Sequence, residues 1–221
     1  MNRRFIQWGI IALAIAIAAS TGWQSEDEQV ENADLPFDFY VLALSWSPAY
    51  CETEAGPRSP LQCGSGANYG FITHGLWPQF EEGWPSFCQS PHGDSVPTGT
   101  TESLLDIMPD RRLIEHQWDK HGSCSGFSQQ GYADLTRQAS ERITIPTLFQ
   151  QATPARIDAD EIERVFQQAN PAIPHDALAV SCPGGRFAEI RICLDQNLSP
   201  RTCGEVDRNG CRQENLHLTA R

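Results

Sequence analysis

Hydrophobic and polar positions along this chain change character twice. Phe37 to Trp46 (FDFYVLALSW) is an apolar run rich in β-formers and predicts a central strand. Ser47 to Asn68, with its glycines, prolines and two cysteines, predicts a looping segment. Tyr69 to Thr73 predicts a short second strand that delivers His74 at its end, and Gly75 to Gly99 an ordered loop rich in proline, glycine and aromatics. Helical signals then dominate. Thr101 to Met108 is stopped by Pro109, and Asp110 to His121 is followed by Gly122, placed to end it in the left-handed conformation. Tyr132 to Ile143 follows, then Asp158 to Ala169, with Glu161 completing a capping box before Asn170-Pro171 breaks the helix. Strands return at Leu178 to Cys182 and Phe187 to Leu194, where FAEIRICL alternates. Strands first and last with helices between predict an α+β fold, an antiparallel β-sheet with flanking helices, rather than repeated βαβ units.

The start of the chain reads differently. Arg3 and Arg4, an apolar core from Trp8 to Ala19 and small residues up to Ser20 have the layout of a secretory signal peptide, with a core short for a membrane span. Residues 1–20 are therefore expected to be a signal, 21–34 a flexible acidic lead-in, and 35–221 one folded domain of a size that buries a full core. No stable membrane association is expected after signal removal. All 8 cysteines follow the signal, and an even count in an exported chain predicts a disulfide framework, for which arithmetic alone allows on the order of a hundred pairings. Structural zinc is disfavoured because no C-x2-C pair occurs.

Charge narrows the chemistry. Without Arg3 and Arg4 the 16 basic residues become 14 against 28 acidic ones, a net charge of −14. Such a surface does not hold a polyanion by general attraction, so any action on one needs a small local positive site. One candidate exists. Ile114 to Cys124 (IEHQWDKHGSC) carries Lys120, the only lysine of the chain, between His116 and His121. At about 100° per helical residue, His116, Lys120, Gln117 and His121 fall within about 140° of arc, with Trp118 and Asp119 outside it. Two imidazoles, an ammonium and an amide on one face suit an anion. A metal site is disfavoured: the histidines are five apart, H-E-x-x-H is absent and Lys120 would repel a cation. No metal and no cofactor are expected.

Two segments, FITHGLWPQF (Phe71 to Phe80) and HQWDKHGSC (His116 to Cys124), resemble the two active-site segments of the T(2)-type secreted ribonucleases, whose versions read approximately F-x-I-H-G-L-W-P and H-E-W-x-K-H-G-x-C. FYVLALSW followed by Ser-Pro-Ala-Tyr-Cys is similar to that family's first strand. The resemblance implies a metal-independent endoribonuclease that cleaves single-stranded RNA through its 2′-OH, leaving 2′,3′-cyclic phosphate ends open to hydrolysis to 3′-phosphate, with broad base specificity and no DNA cleavage. It implies His121 as general base, His74 as general acid, His116 as a phosphate-binding histidine, Lys120 as transition-state stabiliser and Trp77 as a base-stacking aromatic. It implies the pair Cys88–Cys124; Cys51–Cys63 is expected from its local spacing, and Cys182–Cys211 with Cys193–Cys203 completes the set at the C-terminal end as the expected pairing. With the signal, a monomer exported to the periplasm or beyond the cell is expected. Gln117 departs from the pattern: the family's usual glutamate is replaced by an amide without charge to tune Lys120 or His121, so a slower enzyme or a shifted pH profile is expected. The same departure keeps a second reading open, a catalytically weak or inactive homologue that binds RNA or signals.

Overall fold

A computed structural model describes residues 35–151 and 153–221; the expected signal and lead-in lie outside the described residues. In chain order the elements are β1 (Phe39–Trp46), α1 (Ser47–Cys51), α2 (Pro60–Cys63), β2 (Phe71–Gln79), α3 (Thr98–Leu104), α4 (Arg111–Lys120), α5 (Gln129–Glu141), α6 (Thr147–Gln150), β3 (Ala155–Ile157), α7 (Ala159–Ala169), β4 (Leu178–Ser181), β5 (Glu189–Leu194), α8 (Gly204–Arg208) and β6 (Leu216–Leu218). The main sheet has the order β2-β1-β5-β4, antiparallel throughout, and β3 pairs with β6 in a small second sheet. The fold is α+β, as the pattern predicts.

The central position of β1 follows from its sequence. Seven of its eight residues are buried, so both faces must be covered. Tyr40, Leu42, Leu44 and Trp46 point into the large core with Ile190 and Ile192 of β5 and Phe149, Ile162 and Phe166 from α6 and α7. Phe39 and Val41, on the other face, build a smaller cluster with Cys193, Cys203 and Trp77. The two faces thus divide labour: one holds the helices, the other floors a cleft.

Several boundaries differ from expectation. The second strand does not stop at Thr73; β2 continues to Gln79, and His74 lies inside it. Gly75 and Pro78 read as breakers in the sequence, yet β2 is an edge strand, where proline's missing N–H costs no ladder bond. Gly122 does not adopt a left-handed conformation; it continues α4 as a 3-10 turn, and Gly126 (φ 83°) takes the positive φ. Packing requires the glycine at 122, since a Cβ there would lie 2.6 Å from the Trp118 ring and 2.7 Å from that of Tyr132. The capping box at Asp158 does not form. Asp158 accepts instead from the backbone N–H of Asn215 at 2.8 Å, and Glu161 pairs with Arg164. At α4, by contrast, Asp110 caps as its position suggests, accepting from Arg112 N–H at 2.9 Å. The segment after β1, read as loop, carries the short turns α1 and α2.

The cysteines join as Cys51–Cys63, Cys88–Cys124, Cys182–Cys211 and Cys193–Cys203. The second fastens the loop after β2 to the turn that ends α4. The fourth ties β5 to the start of α8, beneath the cleft.

Candidate active site

The ladder between β1 and β2 contains one irregularity. Ala43 pairs with Gly75 and Leu44 with Thr73, so His74 is an extra residue with no partner opposite it. Such a bulge re-aims a side chain. The His74 ring reaches across β1, and its Nδ1 lies 2.6 Å from Oε2 of Glu189 on β5. Glu189 is buried, and its other oxygen accepts from Nε of Arg191 at 2.9 Å. Burial alone would raise the Glu189 carboxyl, but the His74 hydrogen bond and the nearby Arg191 outweigh it and hold the group below its ordinary value.

Helix α4 supplies the opposite wall. His116, Gln117, Lys120 and His121, the four residues predicted to share one arc, all line a cleft of about 360 Å³ together with His74 and Trp77. Trp118 faces away from it, in the core, donating to the Gly93 carbonyl at 3.1 Å. Lys120 makes no ion pair among the described residues, so its ammonium is free for an incoming anion. His121 is 5% exposed, and its Nδ1 is buried with no hydrogen-bond partner. Burial first, then the charges of Lys120, His74 and His116, push its pKa down to about 3. His121 is therefore a neutral imidazole across the ordinary pH range.

Trp77 stands between the two histidines. Its ring stacks on His121 (centroids 5.2 Å apart, planes 23° from parallel) and meets His74 edge-on at 5.3 Å. Its Nε1 donates to Oε1 of Gln117 at 2.7 Å, and the Arg191 guanidinium lies 5.4 Å from its centroid. One face of the indole is thus already covered by a histidine. His116 has Phe87 as an edge-on neighbour at 6.4 Å.

Sequence reasoning missed part of the wall. Arg191, Gln79 and, from α8 and the residue that caps it, Glu205, Val206 and Asn209 line the cleft. Trp84, an aromatic that the sequence offers for the same pocket, is 58% exposed at its mouth. Glu189 and Arg191 had a readable signal: they are two opposite charges at positions i and i+2 in a strand otherwise of isoleucine, cysteine and leucine. Nothing comparable marks the α8 residues. His92 and His175 are exposed, His217 sits in β6, and none of the three lines the cleft. Among the described residues no group of three or more His, Cys, Asp or Glu is placed to hold a metal ion.

The arrangement can do proton-transfer chemistry on an anion. It holds one neutral buried imidazole, a second imidazole tied to a carboxylate, an unpaired ammonium, and a third imidazole beside it.

The chain is similar to known proteins. The Ribonuclease T2 family model matches residues 37–203. The "Probable ribonuclease" of Haemophilus influenzae is 31% identical over 187 residues, 78% of this chain and 63% of that protein. The "Ribonuclease" of Aeromonas hydrophila is 31% identical over 183 residues, 79% of each. In three dimensions the RNase-related protein from Calystegia sepium superposes with a TM-score of 0.65 at 20% identity, covering 83% of this chain and 97% of that one. RNase NT, solved with 5′-AMP, gives 0.63 at 20% identity, covering 84% and 99%. The chain, through its matched strand, its two histidine segments and its disulfide-tied sheet, belongs to the Ribonuclease T2 family.

Proposed function

We propose that this protein is a metal-independent endoribonuclease that cleaves single-stranded RNA by attack of the ribose 2′-OH on the adjoining phosphate. The observation that carries the reading is the convergence of His74, His116, Lys120 and His121 on one cleft in a chain of net charge −12. RNA brings its own nucleophile, so the protein must remove one proton, supply another and stabilise the charge gained between.

The neutral state of His121 suits the general base. Its buried Nδ1 leaves Nε2 to take the 2′-OH proton. The 2′-oxygen then bonds to phosphorus, and Lys120 with His116 neutralises the negative charge that builds on the phosphoryl oxygens. His74, with Nδ1 engaged by Glu189, presents Nε2 to protonate the departing 5′-oxygen. The P–O5′ bond breaks, leaving a 2′,3′-cyclic phosphate on one fragment and a 5′-hydroxyl on the other. DNA lacks the 2′-OH and is not cleaved by this route. A base beside the cut finds apolar surface at Trp77 and Trp84, which suits broad base specificity. Four disulfides suit export to the periplasm or the medium.

The test uses the refolded protein on a short RNA in EDTA, with product ends read by mass spectrometry and His121→Ala beside it. Cyclic phosphate ends that vanish in the variant support the assignment. Absence of cleavage from acid to neutral pH, with the disulfides verified, favours the second reading suggested by Gln117, a homologue that binds RNA without cutting it.

A further inference from the structure

The geometry points to Glu189, held by Arg191, as the positioning residue of the site: it fixes the tautomer and aim of His74, so that the carboxylate absent from position 117 is supplied from strand β5. This rests on the ribonuclease reading for its kinetic consequences, though not for the contact itself.

Three observations converge on it. First, the contact is long-range and built. His74 and Glu189 are 115 residues apart and lie on β2 and β5, with all of β1 between them. Only the bulge at His74 turns its ring that way, and the β1 residues paired with Glu189 and Arg191 are the small Ser45 and Ala43. A large side chain at either place would stand on the path between imidazole and carboxylate. Second, the carboxylate is fully used. One oxygen accepts from His74 at 2.6 Å and the other from Arg191 at 2.9 Å, with Glu189 only 6% exposed. An ionised carboxylate offers no proton, so Nδ1 of His74 must carry the shared one. Nε2 is then the nitrogen that trades protons with substrate. Third, Arg191 is fixed from two sides, by Glu189 and by the Trp77 ring at 5.4 Å. The guanidinium thereby couples the aim of His74 to the indole that also stacks on His121.

Helix α4 offers His74 no such partner. Its residues facing the cleft are His116, Lys120 and His121, all basic, and Gln117, whose Oε1 is committed to Trp77. The other titratable or charged groups that line the cleft with His74 are these three from α4, Arg191 from β5 and Glu205 from α8, whose Oε2 accepts from the Gly83 N–H at 2.6 Å. Glu189 is the carboxylate hydrogen-bonded to His74.

The experiment has a structural and a kinetic arm. In the unaltered protein, long-range ¹H–¹⁵N correlation of the His74 ring should show Nδ1 protonated at neutral pH; a ring protonated only on Nε2 would overturn the proposal outright, whether or not the protein cleaves RNA. In Glu189→Gln, with folding checked by circular dichroism, the Nδ1–H signature should weaken, kcat on a dinucleoside phosphate should fall roughly tenfold or more, a part of what proton transfer contributes to such reactions, and KM should stay within about twofold. The pH profile should also change, because His74 loses the carboxylate that accepts from its Nδ1. Glu189→Asp should recover part of the rate. A folded Glu189→Gln protein with unchanged kcat and pH profile, or one impaired only in KM, would refute the role. Should the unaltered protein fail to cut RNA, the ribonuclease reading falls, while the ring signature still decides whether Glu189 sets His74.

Discussion

Gln117 of helix α4 and Trp77 of strand β2 are joined by a 2.7 Å hydrogen bond, amide oxygen to indole N–H, at the centre of the cleft. The amide oxygen also occupies the space where a Cβ on residue 75 would fall, only 2.0 Å from it, so Gly75 is part of the same fit. The bond needs an acceptor of this size and does not need a charge. Gln117→Glu therefore keeps the contact while placing a carboxylate near Lys120 and His121. A negative charge there favours the imidazolium and raises the depressed pKa of His121. In the proposed mechanism His121 is the general base and must be neutral, so the acid limb of the kcat/KM profile should move to higher pH. A profile that coincides with that of the parent protein would show that position 117 does not tune the base.

The same burial that keeps His121 neutral makes the fold acid-sensitive. Its folded-state pKa of about 3 lies below the ordinary 6.5, so between those values the unfolded chain binds a proton that the folded chain refuses. Stability should fall as pH drops through this window, by roughly 1.4 kcal/mol per unit at most for this group. Urea unfolding of His121→Gln at pH 7 and pH 4 should show a smaller loss than the parent; equal losses would mean the ring is not held neutral.

Glu163 acts with the opposite sign. Buried on α7, with Oε1 lacking any partner and Arg212 no nearer than 3.5 Å to Oε2, it is pushed up to about 7, mainly by burial. Between 4.5 and 7 the folded chain holds a proton the unfolded chain has lost, so this group gains stability as pH falls and costs most above 7. Glu163→Gln should be more stable than the parent at pH 8, and the difference should shrink toward zero near pH 4.5. A difference independent of pH would assign the effect to packing.

Trp84 is the open indole of the cleft. Its loop is held to α8 by the Gly83 N–H, which donates to Oε2 of Glu205 at 2.6 Å. Removing a stacking surface should weaken substrate binding by roughly 1–3 kcal/mol. Trp84→Ala should accordingly raise KM for a dinucleoside phosphate with little change in kcat, whereas a kcat defect would place the residue in the chemistry itself.

The Cys88–Cys124 bond closes a loop of 36 residues that contains helix α4 and its cleft-lining residues, and Phe87 N–H donates to the Lys120 carbonyl beside it at 2.9 Å. Replacing both cysteines by serine should cost about 4 kcal/mol by loop entropy. Activity should fall further than stability alone requires, because the Phe87 neighbour of His116 is released. Intact activity at a temperature where the variant is folded would confine the bond to a stabilising role.

What could be read from the sequence was whatever depends on neighbours along the chain. FYVLALSW is apolar at every face and duly lies in mid-sheet; His116, Lys120 and His121 share an arc because a helix fixes their spacing. The wall opposite α4 was harder. His74 was legible as a residue at a strand's end but not as a bulge, because a bulge exists only relative to β1. Glu189 and Arg191 carried a visible charge pattern, yet their partners lie more than a hundred residues away in His74 and Trp77. Gly122 shows the other kind of limit: its lack of a side chain serves the Trp118 and Tyr132 rings, whereas local rules assign it to a turn.

The bulge has one more consequence. With Thr73 opposite Leu44 and Gly75 opposite Ala43, deleting residue 74 would leave an uninterrupted ladder in unchanged register on both sides. The backbone would close over the gap with every other side chain on its original face. The histidine is thus an insertion that the sheet tolerates rather than a part it is built from, and a single lost codon would remove the imidazole bound to Glu189 while leaving the strand pairings and the four disulfides their partners. In this architecture one imidazole of the cleft can be discarded without touching the scaffold.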